Sequence, residues 1–430
     1  MSASGAADRW DVLIVGGGPV GACAAALLQR ALGNVPRPLR IAVLEPNRPQ
    51  PVAADLPLEA RVSALSRASE HILAAADAWK LIPRQRLSPY ERMSVWPKGV
   101  PARSPRALTF DAACAGEPNL GYIAENRVVQ WAALAAFEAA GGTIVPAVFC
   151  RSRIAADHVE VETGAGSLTC ALIVGADGAC SKVRECAGLV AHAGSYRQTA
   201  IVANVHTTLA HERTAWQRFL GTGTLAFLPL ADGSSSIVWS ADEQLAALLL
   251  AMPQERFEEE LLRASDGVLG TVKVCTARVA LPLRRMAAER FTANRCALIG
   301  DAAHVVHPLA GQGVNLGLLD AATLAQCLCD AHRLGEDAGA PGPLRRYERW
   351  RKSEIAPMAL AIDAFNRFLA HGAGPLSKLA QRGLSWVNRS EEVKRFFITR
   401  ALGLAGELPA AARVAAALSK AESDRSSPRR

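Results

Sequence analysis

The chain has 430 residues, half of them hydrophobic and a fifth charged, which suits two or three packed domains and excludes a disordered or fibrous protein. The formal charge of +8 gathers at one end: from Pro341 onward there are 17 Lys+Arg and 8 Asp+Glu, a difference of +9. With the remainder nearly neutral, no zinc-ligand spacing and no basic cluster tied to a nucleic-acid fold, nucleic acid is not an expected partner.

The ten cysteines are scattered, none as Cys-x-x-Cys, and several lie in apolar runs. That pattern predicts free thiols in a reducing cytosol rather than a disulfide framework. Met1–Asp11 lacks the basic and apolar regions of a secretory signal, and no apolar run approaches the ~20 residues that span a bilayer. The expected location is therefore cytoplasmic, with any membrane contact peripheral, at the inner membrane.

In chain order, Trp10–Val15 reads as a buried strand, Gly16–Gly21 as a glycine turn, Ala22–Leu32 as an alanine-rich helix and Ile41–Glu45 as a second strand. Together they form a βαβ unit. Ser66–Ala78 and Val128–Ala140 follow as helices, separated by a Pro/Gly/Ala-rich stretch over Met93–Gly121. Thr143–Val148, His158–Thr163 and Leu168–Val174 are predicted strands. A β-rich segment comes next, with strands at Thr199–Thr208, Thr224–Leu230, Ser235–Ser240 and Val272–Leu281 around a helix at Glu255–Ala264. After Asn315 the chain is mostly helical to about Ala421, and Ser423–Arg430 is a polar tail.

Three stretches carry the chemistry. Gly16-x-Gly18-x-x-Gly21 stands between a strand and a helix, the setting a dinucleotide fingerprint requires. Gly16 allows the tight turn, Gly18 lets a pyrophosphate approach the backbone, and Gly21 lets helix and strand pack closely. Glu45, 24 residues after Gly21, ends the second strand where a ribose would be held. This turn alone does not choose between FAD and NAD(P). The second stretch, Leu172–Arg184, ends a strand with Asp177-Gly178 and adds Arg184. The third, Gly300–Asn315, places Asp301 at a strand end, breaks at Pro308, and opens a helix with Gly311-Gln312-Gly313-Val314-Asn315. Its backbone N–H groups and helix end suit a second electron-rich group on a long ligand. His304 and His307 lack a metal partner at ligand spacing and are expected to be structural, His307 being the one open to a polar contact with flavin or substrate; no metal is expected. Glu125 and Asn126 either bond a cofactor or only shape their loop. Tyr196, Trp216, Phe219 and Trp239 either line a substrate cavity or pack in the core.

Taken in this order, the three motifs resemble the GxGxxG, DG and GD motifs of the class A flavoprotein aromatic hydroxylases. The segments Ala60–Ser69, Gly121–Gln130, Leu225–Ser240, His307–Ala321 and Val387–Pro409 extend the resemblance to the ubiquinone-biosynthesis hydroxylases, with 2-polyprenylphenol hydroxylases the nearest in look. The predicted elements and the resemblance together imply an α/β fold: a Rossmann-like FAD-binding domain (1–92, 122–189, 275–340), an inserted β-sheet substrate domain (93–121, 190–274) and a helical C-terminal region (341–422), while the polar, basic composition of 423–430 predicts a mobile tail. It places Gly16, Gly18 and Gly21 on the FAD pyrophosphate and Glu45 on the ribose. Arg61 and Arg127 fall on the phosphate and adenosine side. Asp177 falls between FAD and the nicotinamide donor, Asp301 on the ribityl and pyrophosphate, and Gly311, Gly313, Val314 and Asn315 beside the flavin ring.

The implied reaction uses NAD(P)H and O2, through a flavin C4a-hydroperoxide, to hydroxylate a hydrophobic phenol, and needs no protein nucleophile. A polyprenyl tail calls for an apolar channel and a membrane or complex partner, for which the basic C-terminal region is the expected docking surface; its alternative is a solvated helical face. A homo-oligomer is left open. Two other readings stand beside this one: hydroxylation of a different aromatic, and a non-catalytic flavin-binding scaffold.

Overall fold

The structure is a computed structural model that describes residues 9–53, 56–307, 311–365 and 391–413. Pro308, residues 366–390 and 414–422 of the C-terminal region, and the 423–430 tail lie outside the described residues.

The first sheet is built on a parallel core in the order Cys296–Leu298, Gly166–Gly175, Arg9–Val15, Ile41–Leu44, Thr143–Val145. These strands are continuous apolar runs because both faces are covered, as parallel sheets require. The helix Pro19–Leu32 covers one face beside Asn126–Ala139 and Gln312–Arg333. Pro19 starts that helix, where its missing N–H costs nothing. Its Ala22–Ala26 run is buried and lets neighbouring helices approach.

A second sheet of nine strands carries the insert. Its spine is the 17-residue strand Ala191–Thr207, paired on one side with Ser235–Asp242 and on the other with Val279–Ala288. Thr214–Phe219, which has no counterpart among the predicted strands, joins Gly223–Pro229 to Arg92–Pro97. The division at 275 puts Val279–Ala288 with the cofactor domain, but its hydrogen bonds place it in this second sheet. The predicted strand Val272–Leu281 is two strands, Val272–Val274 and Val279–Ala288, both paired with the spine. His304–Val305 extends the same sheet onto the third motif, through Met286 and Ala287.

Side-chain alternation gives the second sheet two unlike faces. One presents Ile201, Trp216, Leu225, Phe227, Ile237 and Trp239 to the helices Glu243–Ala251 and Gln254–Ser265, forming a core of its own. The other presents Gln198, Val202, Asn204, Ala226, Leu228 and Val238, by pairing register. A small sheet, Val62–Ser66, Gly121–Glu125 and Leu87–Tyr90, bridges the two large ones.

Burial pushes the thiols of Cys23 and Cys170 up to about 12 and that of Cys327 up to about 11, while Cys114, Cys150, Cys180, Cys186 and Cys275 are exposed. No described helix is long and apolar enough to cross a membrane.

Candidate cofactor and substrate site

The three motifs and Glu45 sit at the carboxyl ends of four adjacent parallel strands. Crossing the sheet, the residues follow in the order Asp301, Asp177, Gly16, Glu45. This is where open α/β sheets bind ligands.

The glycine turn is held from both sides. Gly16 donates its N–H to the Leu44 carbonyl at 3.0 Å and has φ +100°. A Cβ on Gly16 would overlap the Ala176 carbonyl, and one on Gly21 would overlap the Gly16 carbonyl. Gly18 is different: a Cβ there would meet nothing within 4 Å, so its face is open space over a helix start with no side-chain cap. Glu45 accepts from Gly17 N and Asn47 N, both at 2.9 Å, which leaves lone pairs for a ribose.

Asp177 accepts from Val183 N at 3.2 Å through Oδ2, while its buried Oδ1 has no partner among the described residues. Arg184 ties this motif to the third, donating to Ala302 O at 2.9 Å and Ala179 O at 3.0 Å. Asp301 is reached by solvent at the strand end yet crowded by protein. Desolvation raises its carboxyl above the usual range, opposed by the nearby charges of His304 and Arg61. Arg61, which makes no side-chain bond among the described residues, is near enough for its charge to act on Asp301.

Gly311 caps the helix Gln312–Arg333 with φ +65° and no side-chain bond. A Cβ on Gly311 would come within 3.2 Å of Ala64, whereas one on Gly313 would meet nothing within 4 Å. The helix end therefore faces open space at Gly313, while Val314 packs partly buried against the core. Asn315 does not: it is buried, accepts from Ser66 N at 3.0 Å and Ser69 Oγ at 2.7 Å, and donates to Ala64 O at 2.8 Å. Its side chain fastens the helix to the strand Val62–Ser66 and does not reach outward. Arg127 pairs with Glu59 at 2.9 Å, its side chain partly exposed. Glu125 and Asn126 shape their loop. Glu125 is bound by Arg86 at 2.7 Å and by Glu59 N at 2.8 Å, and Asn126 accepts from Ser63 Oγ at 2.6 Å.

The second face of the large sheet closes over this cradle. Asn204 Nδ2 donates to Leu58 O at 2.8 Å, and Ser236 Oγ bonds Ala60 O at 3.3 Å. His307 meets Gln198 Oε1 at 3.2 Å and packs edge-on against Tyr196, ring centroids 4.8 Å apart. A bulge between Ser195 and Gln198, with Arg197 at φ +52°, turns the spine strand here; bulges re-aim side chains in this way beside active sites. Trp216 and Trp239 lie in the helix-side core, and Phe219 packs with Val95.

Beneath the third motif lies a network absent from the sequence reading. Asp320 accepts from Gly300 N at 2.9 Å, His304 Nε2 at 2.6 Å and Arg351 Nε at 2.6 Å, all buried. The only hint in the chain is an acid amid the apolar run Leu316–Ala325. Arg86, equally buried, sits in a polar stretch and gives no hint.

These residues fit FAD. Gly18 leaves room for the pyrophosphate, Glu45 suits the ribose, the unpartnered Asp177 Oδ1 needs a donor, and the two helix starts at Pro19 and Gln312 carry no side-chain cap. Such a cradle under a β-sheet wall is that of an FAD-binding enzyme, and the relatives make it an FAD-dependent aromatic-ring monooxygenase. The FAD binding domain family model matches residues 147–358. Ubiquinone hydroxylase UbiL of Rhodospirillum rubrum is 36% identical over 404 residues, 93% of this chain and 91% of its own. The 3-demethoxyubiquinol 3-hydroxylase of Escherichia coli is 34% identical over 397 residues, 92% of this chain and 98% of its own. The structure of p-nitrophenol 4-monooxygenase PnpA from Pseudomonas putida shares the fold, with TM-score 0.71 and 19% identity over 92% of this chain and 98% of that one. The chain belongs to the ubiquinone-biosynthesis hydroxylases, a family of class A FAD-dependent monooxygenases. NAD(P)H and O2 are the co-substrates typical of the class.

Proposed function

We propose that this enzyme hydroxylates the aromatic ring of a polyprenylphenol intermediate of ubiquinone biosynthesis. The balance is one ring C–H, O2, NAD(P)H and a proton giving C–OH, NAD(P)+ and water. The observation that carries the reading is the row of Asp301, Asp177, Gly16 and Glu45 along one sheet edge, in a chain that matches ubiquinone hydroxylases over nine-tenths of its length.

When bound, FAD supplies hydride acceptance and oxygen activation; this chain's residues position and enclose. Gly16, Gly18, Gly21 and the first helix start hold the pyrophosphate, and Glu45 the ribose. Asp177 and Asp301, with Arg61, hold the middle of the cofactor. The helix end at Gly311, Gly313 and Val314 would lie beside the ring, where its positive end would favour negative charge. Val202, Ala226, Leu228 and Val238 wall the substrate and exclude water, and His307, set by Gln198 and Tyr196, makes the polar contact with the phenol. The basic C-terminal region docks on a membrane surface or a biosynthetic complex that delivers the tailed substrate.

The test is a quinone and precursor profile, by mass spectrometry, of aerobically grown cells lacking the gene. Loss of ubiquinone with a polyprenylphenol accumulating is the expected result, and the oxygens missing from that intermediate name the ring position. A profile unchanged by the deletion, together with no turnover of polyprenylphenols by the purified flavoprotein, overturns the reading.

A further inference from the structure

Outside the cradle, the structure holds a second concavity. Arg290, Gly342, Arg345, Glu348, Arg349 and Lys352 line a groove of about 680 Å³. Gly342, Arg345, Arg349 and Lys352 recur at three- and four-residue steps, so they share one face of the helix Pro341–Phe365. Arg351, two positions beyond Arg349, points the opposite way into the Asp320 network. The groove is therefore on the outer side of the helix whose inner side supports the third motif. Gly342 adds no side chain, and a Cβ there would meet Glu336 Oε2 at 3.8 Å, so a carboxylate stands at that end of the groove.

The lining carries four cations and one anion, a balance of +3. The anion is already engaged: Glu348 accepts from Phe291 N and Thr292 Oγ1, both at 2.9 Å, and pairs with Lys352 at 2.9 Å. Lys352 also donates to Glu289 O. Among the described residues Arg345 bonds only Pro341 O of its own helix, at 3.2 Å. The side chains of Arg290 and Arg349 make no hydrogen bond or ion pair among the described residues. Like charges four apart on a helix repel, and Arg345 and Arg349 stand at that spacing with Arg290 brought in beside them from another element. Three guanidinium forks around one open concavity have the shape and charge that recognise phosphate oxygens.

We infer that this groove is a binding site for a phosphate-bearing anion, separate from the FAD cradle. The phosphate belongs either to an anionic phospholipid headgroup or to a soluble phosphorylated molecule. None of the groove residues is in the cofactor machinery, so the site stands whatever ring the enzyme hydroxylates.

The FAD-loaded full chain is compared with two double variants: Arg345→Gln/Arg349→Gln in the groove, and Arg256→Gln/Arg263→Gln, the same charge change on the exposed face of Gln254–Ser265. Arg290→Gln, from the other side of the groove, is a third. Flavin content and circular dichroism confirm that each is folded. One arm measures flotation with phosphatidylcholine vesicles with and without phosphatidylglycerol. The other measures the melting shift given by inorganic phosphate and pyrophosphate. With the headgroup as source, phosphatidylglycerol binding falls about thirtyfold in the groove double variant and less in Arg290→Gln, and is kept in the other. With a soluble source, the melting shift is lost in the groove variants alone. If the wild type responds in neither arm, or groove and control variants lose equally, the inference is overturned.

Discussion

Asp320 and Arg351 meet at 2.6 Å with both side chains buried, directly under Gly300 of the third motif. Removing one partner strands the other's charge in the interior. Asp320→Asn is expected to cost about 3–5 kcal/mol in urea unfolding. Asp320→Leu with Arg351→Met recovers much of that, less the bonds to Gly300 N and His304.

The same pair has a pH signature. Burial pushes the Asp320 carboxyl up, but the charges and hydrogen bonds of His304 and Arg351 outweigh it and hold the carboxyl below its ordinary 3.8. A carboxyl lowered by folding contributes stability above its unfolded value and loses it as pH falls through the folded one. The stability gap between wild type and Asp320→Asn is therefore full above 3.8 and closes below it.

Gly18 and Gly21 respond oppositely to added bulk. Gly18 has ordinary extended backbone and free space, so Gly18→Val folds with stability near wild type but loses FAD affinity at least about tenfold, read by flavin fluorescence titration. Gly21→Ala drives a methyl into the Gly16 carbonyl and costs roughly 1–3 kcal/mol before any ligand is considered.

Asp301 opposes stability to function. A carboxyl whose value folding raises costs stability once pH exceeds its unfolded value, and the cost disappears on acidification below it. Asp301→Asn is expected to raise the melting temperature of the flavin-free protein at neutral pH while weakening FAD retention. A variant that loses both refutes the assignment.

His307→Ala is expected to keep its flavin and its fold while turnover falls roughly ten- to a hundredfold, because Tyr196 and Gln198 lose the group they hold in place. His307→Asn keeps a donor toward Gln198 and recovers part of the rate. Steady-state kinetics with a short-chain phenol separates the two.

The parallel core was legible because four of its five strands, all but Thr143–Val145, lead into a glycine or an acid with a reason to be there. The three motifs point to strand ends, and the fold brings those ends into one row. Thr214–Phe219 escaped notice because Gln217 and Arg218 interrupt its apolar pattern, although both are buried in the fold. The resemblance puts Asn315 beside the flavin ring; only the fold shows Ser66 and Ser69 at its amide, 249 and 246 residues away in sequence. Arg86–Glu125 and Asp320–Arg351 are likewise pairings across long stretches of chain, set by packing rather than by local pattern. The helix Pro341–Phe365 divides its arginines between inside and outside, and charge counting alone adds them together.

The buried thiols bear on how long such an enzyme lasts. Only the thiolate reacts readily with oxidants, and at a value of about 12 the ionised fraction of Cys23 or Cys170 at pH 7 is on the order of 10⁻⁵. A protein that handles O2 in its working cycle thus keeps its interior sulfurs in the inert form. Oxidative wear should begin at Cys114, Cys150, Cys180, Cys186 and Cys275 on the surface, leaving the sheet that carries the flavin cradle until last.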